Sequence, residues 1–199
     1  MADTAPKRIA LGSGKLYIKL FDETLPTTEE LCIDANLIGY IQGGATLEYT
    51  PTFYEAKDDL GYATKTIITE EEAILKSGIM TFNGKTLNKL SDTARVTEDG
   101  TRHLRTVKIG GIGNMKREKY VICFHHEDNI DGDIWILIVG QNQAGFSLAF
   151  AKDKETVIDA EFKCLAQDDV GTLIQYIEED STIVQGERLN IESQDNEDK

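Results

Sequence analysis

The chain has 199 residues, 40% of them apolar, and carries 21 Lys and Arg against 35 Asp and Glu, a net charge of −14. That is enough for one domain with extensions. The acidic balance argues against a nucleic-acid binder, because affinity for phosphate comes mainly from Lys and Arg; no apolar run approaches the roughly 20 residues of a membrane helix. The first residues, MADTAPKR, lack the apolar core of a signal peptide, so folding in a cytoplasm is expected. Cys32, Cys123 and Cys164 are widely spaced and odd in number. They are expected as buried, reduced thiols rather than a disulfide framework.

Residues 1–10 are expected as an N-terminal arm, followed by a β domain over residues 11–180. Residues 15–21 alternate as a strand: Leu16, Ile18 and Leu20 against Tyr17, Lys19 and Phe21. The preceding GSGK lacks the spacing of a phosphate-binding loop, since Ile9 and Leu16 stand where glycine and Ser or Thr are needed. Residues 22–36 are polar and read as a long loop. Residues 37–49 read as two β-prone runs around a Gly43–Gly44 turn, and Pro51 is expected to end their pairing. Residues 52–63 read as an extended loop, and its aromatics Phe53, Tyr54 and Tyr62 suit a protein contact more than a solvated loop.

Residues 64–82 read as two strands or one long bent strand, with a helix from the Thr69 cap as the alternative. Residues 83–95 read as a short helix capped by Asn83 or Thr86, with Leu87, Leu90 and Ala94 on one face. It would plug one open side of a β core. Residues 98–101 read as a turn. Residues 103–109 and 120–126 read as strands joined by a basic, glycine-rich hairpin loop.

Charge is uneven. Residues 102–119 hold six Lys or Arg against one acid, and residues 178–199 hold eight acids against two bases. Such segments can meet between copies of one protein. Cys123, His125, His126, Glu127, Asp128, Asp131 and Asp133 are rich in ligand atoms, but their spacing fits neither a zinc site nor an EF-hand loop. An acidic turn between strands is expected there, and no metal or cofactor.

Residues 133–166 read as a meander of three strands, 134–139, 146–151 and 156–165, with connectors at 140–145 and 152–155. In the third strand Asp159, Glu161 and Lys163 alternate with Ile158, Ala160, Phe162 and Cys164, giving a wet and a dry face. Residues 167–171 read as a turn and 172–177 as a last strand. Residues 181–199 read as an acidic, flexible tail. No G-x-S-x-G, H-E-x-x-H or P-loop occurs, so no enzyme is expected. The pattern suits a mainly β fold, a sandwich or partly open barrel of mostly antiparallel strands with one short flanking helix and long loops. The alternative to a self-assembling structural protein is a soluble ligand- or carbohydrate-binding β module.

Four blocks carry a resemblance: LGSGKLYIKLF at 11–21, IGYIQGGATLEYTPTFYEAKDDLGYATK at 38–65, ITEEEAILKSGIMTFN at 68–83 and FSLAFAKDKETVIDAEFKCLAQDDVGTLIQYIEE at 146–179. In this order and spacing the chain resembles the major tail tube proteins of long-tailed bacteriophages and phage-derived particles. The resemblance implies a β-sandwich subunit forming six-subunit rings that stack into a hollow tube. DNA passes through such a tube without specific binding, and the tape measure protein and other tail proteins are the further partners. It implies a virion location and no membrane contact. It places inter-ring or inter-subunit contacts at Phe53, Tyr54, Lys57, Asp58, Asp59 and Tyr62, with Lys116 and Arg117 added by the basic segment. Asp159, Glu161 and Lys163 become the candidate lumen face, where like charge would keep DNA from sticking.

Overall fold

A computed structural model describes residues 12–60, 64–181 and 183. The expected arm at 1–10 and all of the expected tail except Ser181 and Ile183 lie outside the described residues. Among the described residues the fold is mainly β, 48% strand and 10% helical. Its elements are β1 (Lys15–Leu20), α1 (Thr28–Leu31), β2 (Leu37–Gly39), β3 (Ile41–Lys57), β4 (Thr64–Ile79), α2 (Gly84–Leu90), β5 (Arg95–Asp99), β6 (Leu104–Lys108), β7 (Tyr120–His126), β8 (Ile134–Asn142), β9 (Ile158–Leu165) and β10 (Ile174–Glu178).

One antiparallel sheet runs β2-β1-β7-β8-β9-β4-β3, with β10 also paired to β8; β5 and β6 form a separate hairpin. β2 and β3 stand at opposite ends of this order, yet only Tyr40 separates them in the chain. The sheet must therefore curl until its ends approach. At the seam, the Tyr40 N–H donates to Thr81 Oγ1 at 2.7 Å and the Met80 N–H donates to Tyr40 O at 2.8 Å. Gly39 permits this approach, since a Cβ there would lie 2.0 Å from the Thr81 carbonyl oxygen. The strand ladder does not cross Tyr40, and the sheet does not close into a barrel.

Inside the curl lies the main core. Leu16 and Ile18 of β1, Ile122 of β7, Ile138 of β8, Ile158 and Phe162 of β9, and Leu75 and Ile79 of β4 are fully buried in one cluster. Leu87 and Leu90 of α2 plug it, as the apolar face of that helix predicts. Asn83 caps α2, its Oδ1 accepting from the N–H groups of Lys85 and Thr86. The helix stops at Leu90, short of the expected residue 95. Ser91, Asp92 and Thr93 are engaged otherwise: Asp92 Oδ1 accepts from the Arg117 N–H at 2.8 Å and Thr93 Oγ1 from the Gly110 N–H at 3.1 Å. Short polar side chains that bond outside the helix offer the backbone another course.

A second cluster lies on the opposite face, where Tyr17, Val121, Cys123, Leu137 and Val139 are covered by Leu31, Leu25 and Leu37. The expected loop at 22–36 is therefore a lid on the sheet containing the one-turn α1, so the fold has two helices rather than one. Thr27 and Glu30 form a capping box that starts α1. With both faces covered, β8 reads as a continuous apolar run.

Other expectations are corrected. Residues 146–151 are not a strand. β8 pairs directly with β9, Val139 opposite Leu165 and Asn142 opposite Phe162. Both sides of β9 are taken, by β8 and β4, and β8 is flanked by β7 and by β9 and β10, so no partner is left in that meander. Phe146 and Leu148 still pack against the core, while Phe150 is 80% exposed. The expected connector at 140–145 begins as strand; a Cβ on Gly140 would lie 2.3 Å from the Lys163 carbonyl oxygen.

Gly43 and Gly44 form a bulge, not a turn. The register passes from Gln42 opposite Gly78 to Ala45 opposite Ser77, and both glycines have positive φ. Pro51 does not end the pairing. It sits inside β3, opposite Glu71, where the edge position tolerates a residue without an N–H. Of the three readings of 64–82, the single long strand holds, ending at Ile79, and there is no helix from Thr69. β6 and β7 do not form a hairpin: β6 pairs with β5, and β7 with β1 and β8. The turn expected at 98–101 lies after Asp99.

Candidate assembly surface

Among its described residues, 52–60, the expected loop at 52–63 is mostly strand. β3 continues to Lys57 and β4 resumes at Thr64, pairing Phe53 with Ile68, Tyr54 with Ile67 and Lys57 with Thr64. From Thr52 to Lys57 and from Thr64 to Glu72 every residue is exposed. Neighbouring strand residues point to opposite sides, so in a body at least one set would be covered. Here neither is. The outer half of the hairpin is an arm leaving the domain.

The arm carries one exposed apolar pair on each face. Phe53 is 58% exposed beside Ile68 at 51%, and on the other face Tyr54 is 59% exposed beside Ile67 at 47%. A register shift sets this arrangement: the pairing steps from Thr52 opposite Glu70 to Phe53 opposite Ile68, leaving Thr69 as the extra residue. Thr69 Oγ1 donates back to Thr52 O at 3.2 Å. At the base of the arm the Tyr49 hydroxyl donates to the Glu71 carboxylate. Among the described residues the outer edge of β3 has no strand partner in the sheet order.

Of the contacts expected here, Phe53, Tyr54 and Lys57 lie on the arm, and Asp58 and Asp59 follow it; Lys57 pairs with Glu55 at 3.0 Å. Tyr62 lies outside the described residues. Ile67 and Ile68 were missed, because the strand pairing that places them beside the aromatics joins two segments read separately.

Lys116 and Arg117 lie elsewhere, between β6 and β7. Lys116 is engaged within the subunit: its Nζ lies 3.2 Å from Glu118 Oε2 and donates to Asn88 O of α2 at 3.0 Å. Arg117 is exposed, and with Lys119, Leu20 and Phe21 it lines an open cleft of about 360 Å³.

Asp159, Glu161 and Lys163 stand on the outer face of β9, opposite Phe162 and the core. Lys163 bridges to Glu72 of β4 at 2.7 Å, and Lys76 of β4 bridges to Glu48 of β3 at 2.8 Å. The hydrogen bond to Glu72 pushes the Lys163 ammonium above its ordinary range. This charged face continues onto the arm through Glu72 and Glu70.

The His-rich cluster is a fixed turn. His125 Nε2 lies 2.7 Å from Asp133 Oδ2, and its ring stacks on Trp135 with centroids 4.9 Å apart. His126 Nδ1 lies 2.8 Å from Ser13 O. Among the described residues no His, Cys, Asp and Glu group is arranged to hold a metal. Burial works to raise the Asp133 pKa, but the Asp128 N–H and the His125 side chain outweigh it and hold it below the ordinary value. A lowered folded-state pKa adds stability above the unfolded value near 3.8 and loses it as pH falls through the folded value. Asp133→Asn should therefore destabilise at neutral pH, and the difference from wild type should shrink below about pH 4. Urea unfolding at two pH values checks this; a gap that widens in acid contradicts it.

No protein-family model matches the sequence, and a search of curated proteins finds no match. No helix among the described residues is long and apolar enough to cross a membrane.

Proposed function

We propose that this chain is the repeating subunit of a hollow tube of the kind found in long-tailed bacteriophages, with rings of six copies stacked into a conduit for DNA. The observation that carries this reading is the arm, a paired hairpin leaving the domain with an apolar pair on each face. Ordering those residues costs conformational entropy that their exposed side chains do not repay. A second copy covering Phe53, Tyr54, Ile67 and Ile68 would repay it. The open β3 edge supports the same reading, because an unpaired edge is either shielded or joined to another chain.

On this proposal the contacts lie between copies of the chain, and the tape measure protein and other tail proteins are the additional partners. Asp159, Glu161 and Lys163, on a face unused by the core, are the proposed lining. The net charge of −14 suits a passage that does not retain DNA.

The test is electron microscopy and sedimentation of the purified chain over a concentration series. Rings or tubes are the expected result. A monodisperse monomer at every concentration would overturn the proposal.

A further inference from the structure

Two thiols from distant parts of the chain face each other. Cys32 ends α1 and Cys123 lies in the middle of β7; their sulfurs are 3.8 Å apart, and no disulfide joins them. The sequence offers no sign of this pairing, since 91 positions separate the two. A disulfide needs a sulfur separation of about 2.05 Å, so closure asks for a movement of under about 2 Å.

The two partners are unequal. Cys123 is fully buried and locked in the sheet, opposite Tyr17 of β1 and Leu137 of β7's other neighbour, β8. Cys32 is half-buried and caps a single helical turn, where one backbone hydrogen bond, to Thr28 O, holds it. Cys32 is therefore the less buried of the two residues and the one carried by the shorter element. The contact with the Cys123 sulfur holds the Cys32 thiol below its ordinary pKa, although burial opposes this. The same contact, together with burial, raises Cys123. Cys164 belongs to the other core cluster, and burial pushes it up to about 11.

We propose that Cys32 and Cys123 are a redox modification site, at which a small peroxide closes a disulfide between α1 and β7. The Cys32 thiolate attacks one peroxide oxygen, the O–O bond breaks, and a sulfenic acid and hydroxide form; the hydroxide takes up a proton as water. The Cys123 sulfur then attacks the Cys32 sulfur, the S–S bond forms, the S–O bond breaks, and hydroxide leaves as water with the Cys123 proton. Two thiols lose two electrons in all, and one hydrogen peroxide becomes two waters. The product staples the lid over the second cluster to the sheet and closes a long loop, which restrains the unfolded chain. Oxidation of this kind belongs to the passage from a reducing to an oxidising environment. The inference is independent of the assembly proposal.

The full-length protein is treated with hydrogen peroxide and its thiols are counted after denaturation. Two of the three thiols should be lost, with a mass decrease of two hydrogens and a proteolytic fragment joining Cys32 to Cys123, all reversed by dithiothreitol. The midpoint of thermal unfolding should rise by roughly 5 °C or more. Cys32→Ser should abolish the mass decrease and leave Cys123 unmodified; Cys164→Ala should preserve the linkage. Retention of all thiols, oxygen addition at Cys32 without a crosslink, or a linkage through Cys164 would each overturn the proposal. The peptide linkage is read on the wild-type protein and does not depend on how either variant folds.

Discussion

On the proposed assembly, the double substitution Phe53→Thr, Tyr54→Thr should leave the subunit folded and raise the concentration at which it assembles. Both side chains are exposed in the single subunit, 58% and 59%, and exposed substitutions usually change stability by less than about 0.5 kcal/mol. Threonine also suits a strand, so the hairpin itself should persist. In an assembly the same positions would be covered, and removing a buried aromatic from an interface commonly costs more than about 1 kcal/mol. A combined loss of about 3 kcal/mol per subunit raises the concentration needed for assembly by roughly 100-fold. Sedimentation of the variant beside wild type gives the comparison, with circular dichroism and thermal unfolding as the check on folding. Tubes at the wild-type concentration would show that the arm is not the joint.

Phe162→Ala should have the largest effect on stability, a loss of about 3–5 kcal/mol, because a large aromatic leaves a cavity its neighbours cannot fill. Phe162 is fully buried and lies opposite Leu75 of β4 and Asn142 of β8. A domain of ordinary stability has about 5–15 kcal/mol in total, so such a loss is a substantial share of it. Glu161→Gln, one residue away on the exposed face, should change stability by less than about 0.5 kcal/mol. Denaturant midpoints for both report which side of β9 faces the core. Equal costs, or a Phe162 loss below about 1 kcal/mol, would contradict the burial described here.

The alternation in β9 was legible because strand geometry sends every second side chain to the same face. The strand β1 was legible from the same two-residue period and the cap of α2 from Asn83, while β6, β7 and β10 stood out as short β-prone or apolar runs. Pairing was less accessible. Phe146, Leu148 and Phe150 carry the strand period, but whether a segment joins a sheet depends on a free neighbour, and β8 and β9 have none to offer. Gly43–Gly44 and Pro51 are ordinary breakers in isolation; an edge strand with a bulge accommodates both. Thr27 and Glu30 did spell out a helix start that polarity obscured. For the assembly surface, Phe53 and Tyr54 stood out as aromatics in a polar stretch. Ile67 and Ile68 did not, because their significance comes from the strand across from them.

The seam at Tyr40 decides how a pull on the long hairpin would be carried into the sheet. Residues 37–57 form one nearly continuous strand path, paired to β1 at its start and to β4 along the rest. A force along the arm is thus directed along that path rather than across it. The hydrogen bonds of the β4–β9 ladder, which tie the hairpin to the rest of the sheet, then bear the load together in shear. The same tension arrives at Tyr40, where the two ends of the sheet meet, and at Gly39, which has no room for a side chain.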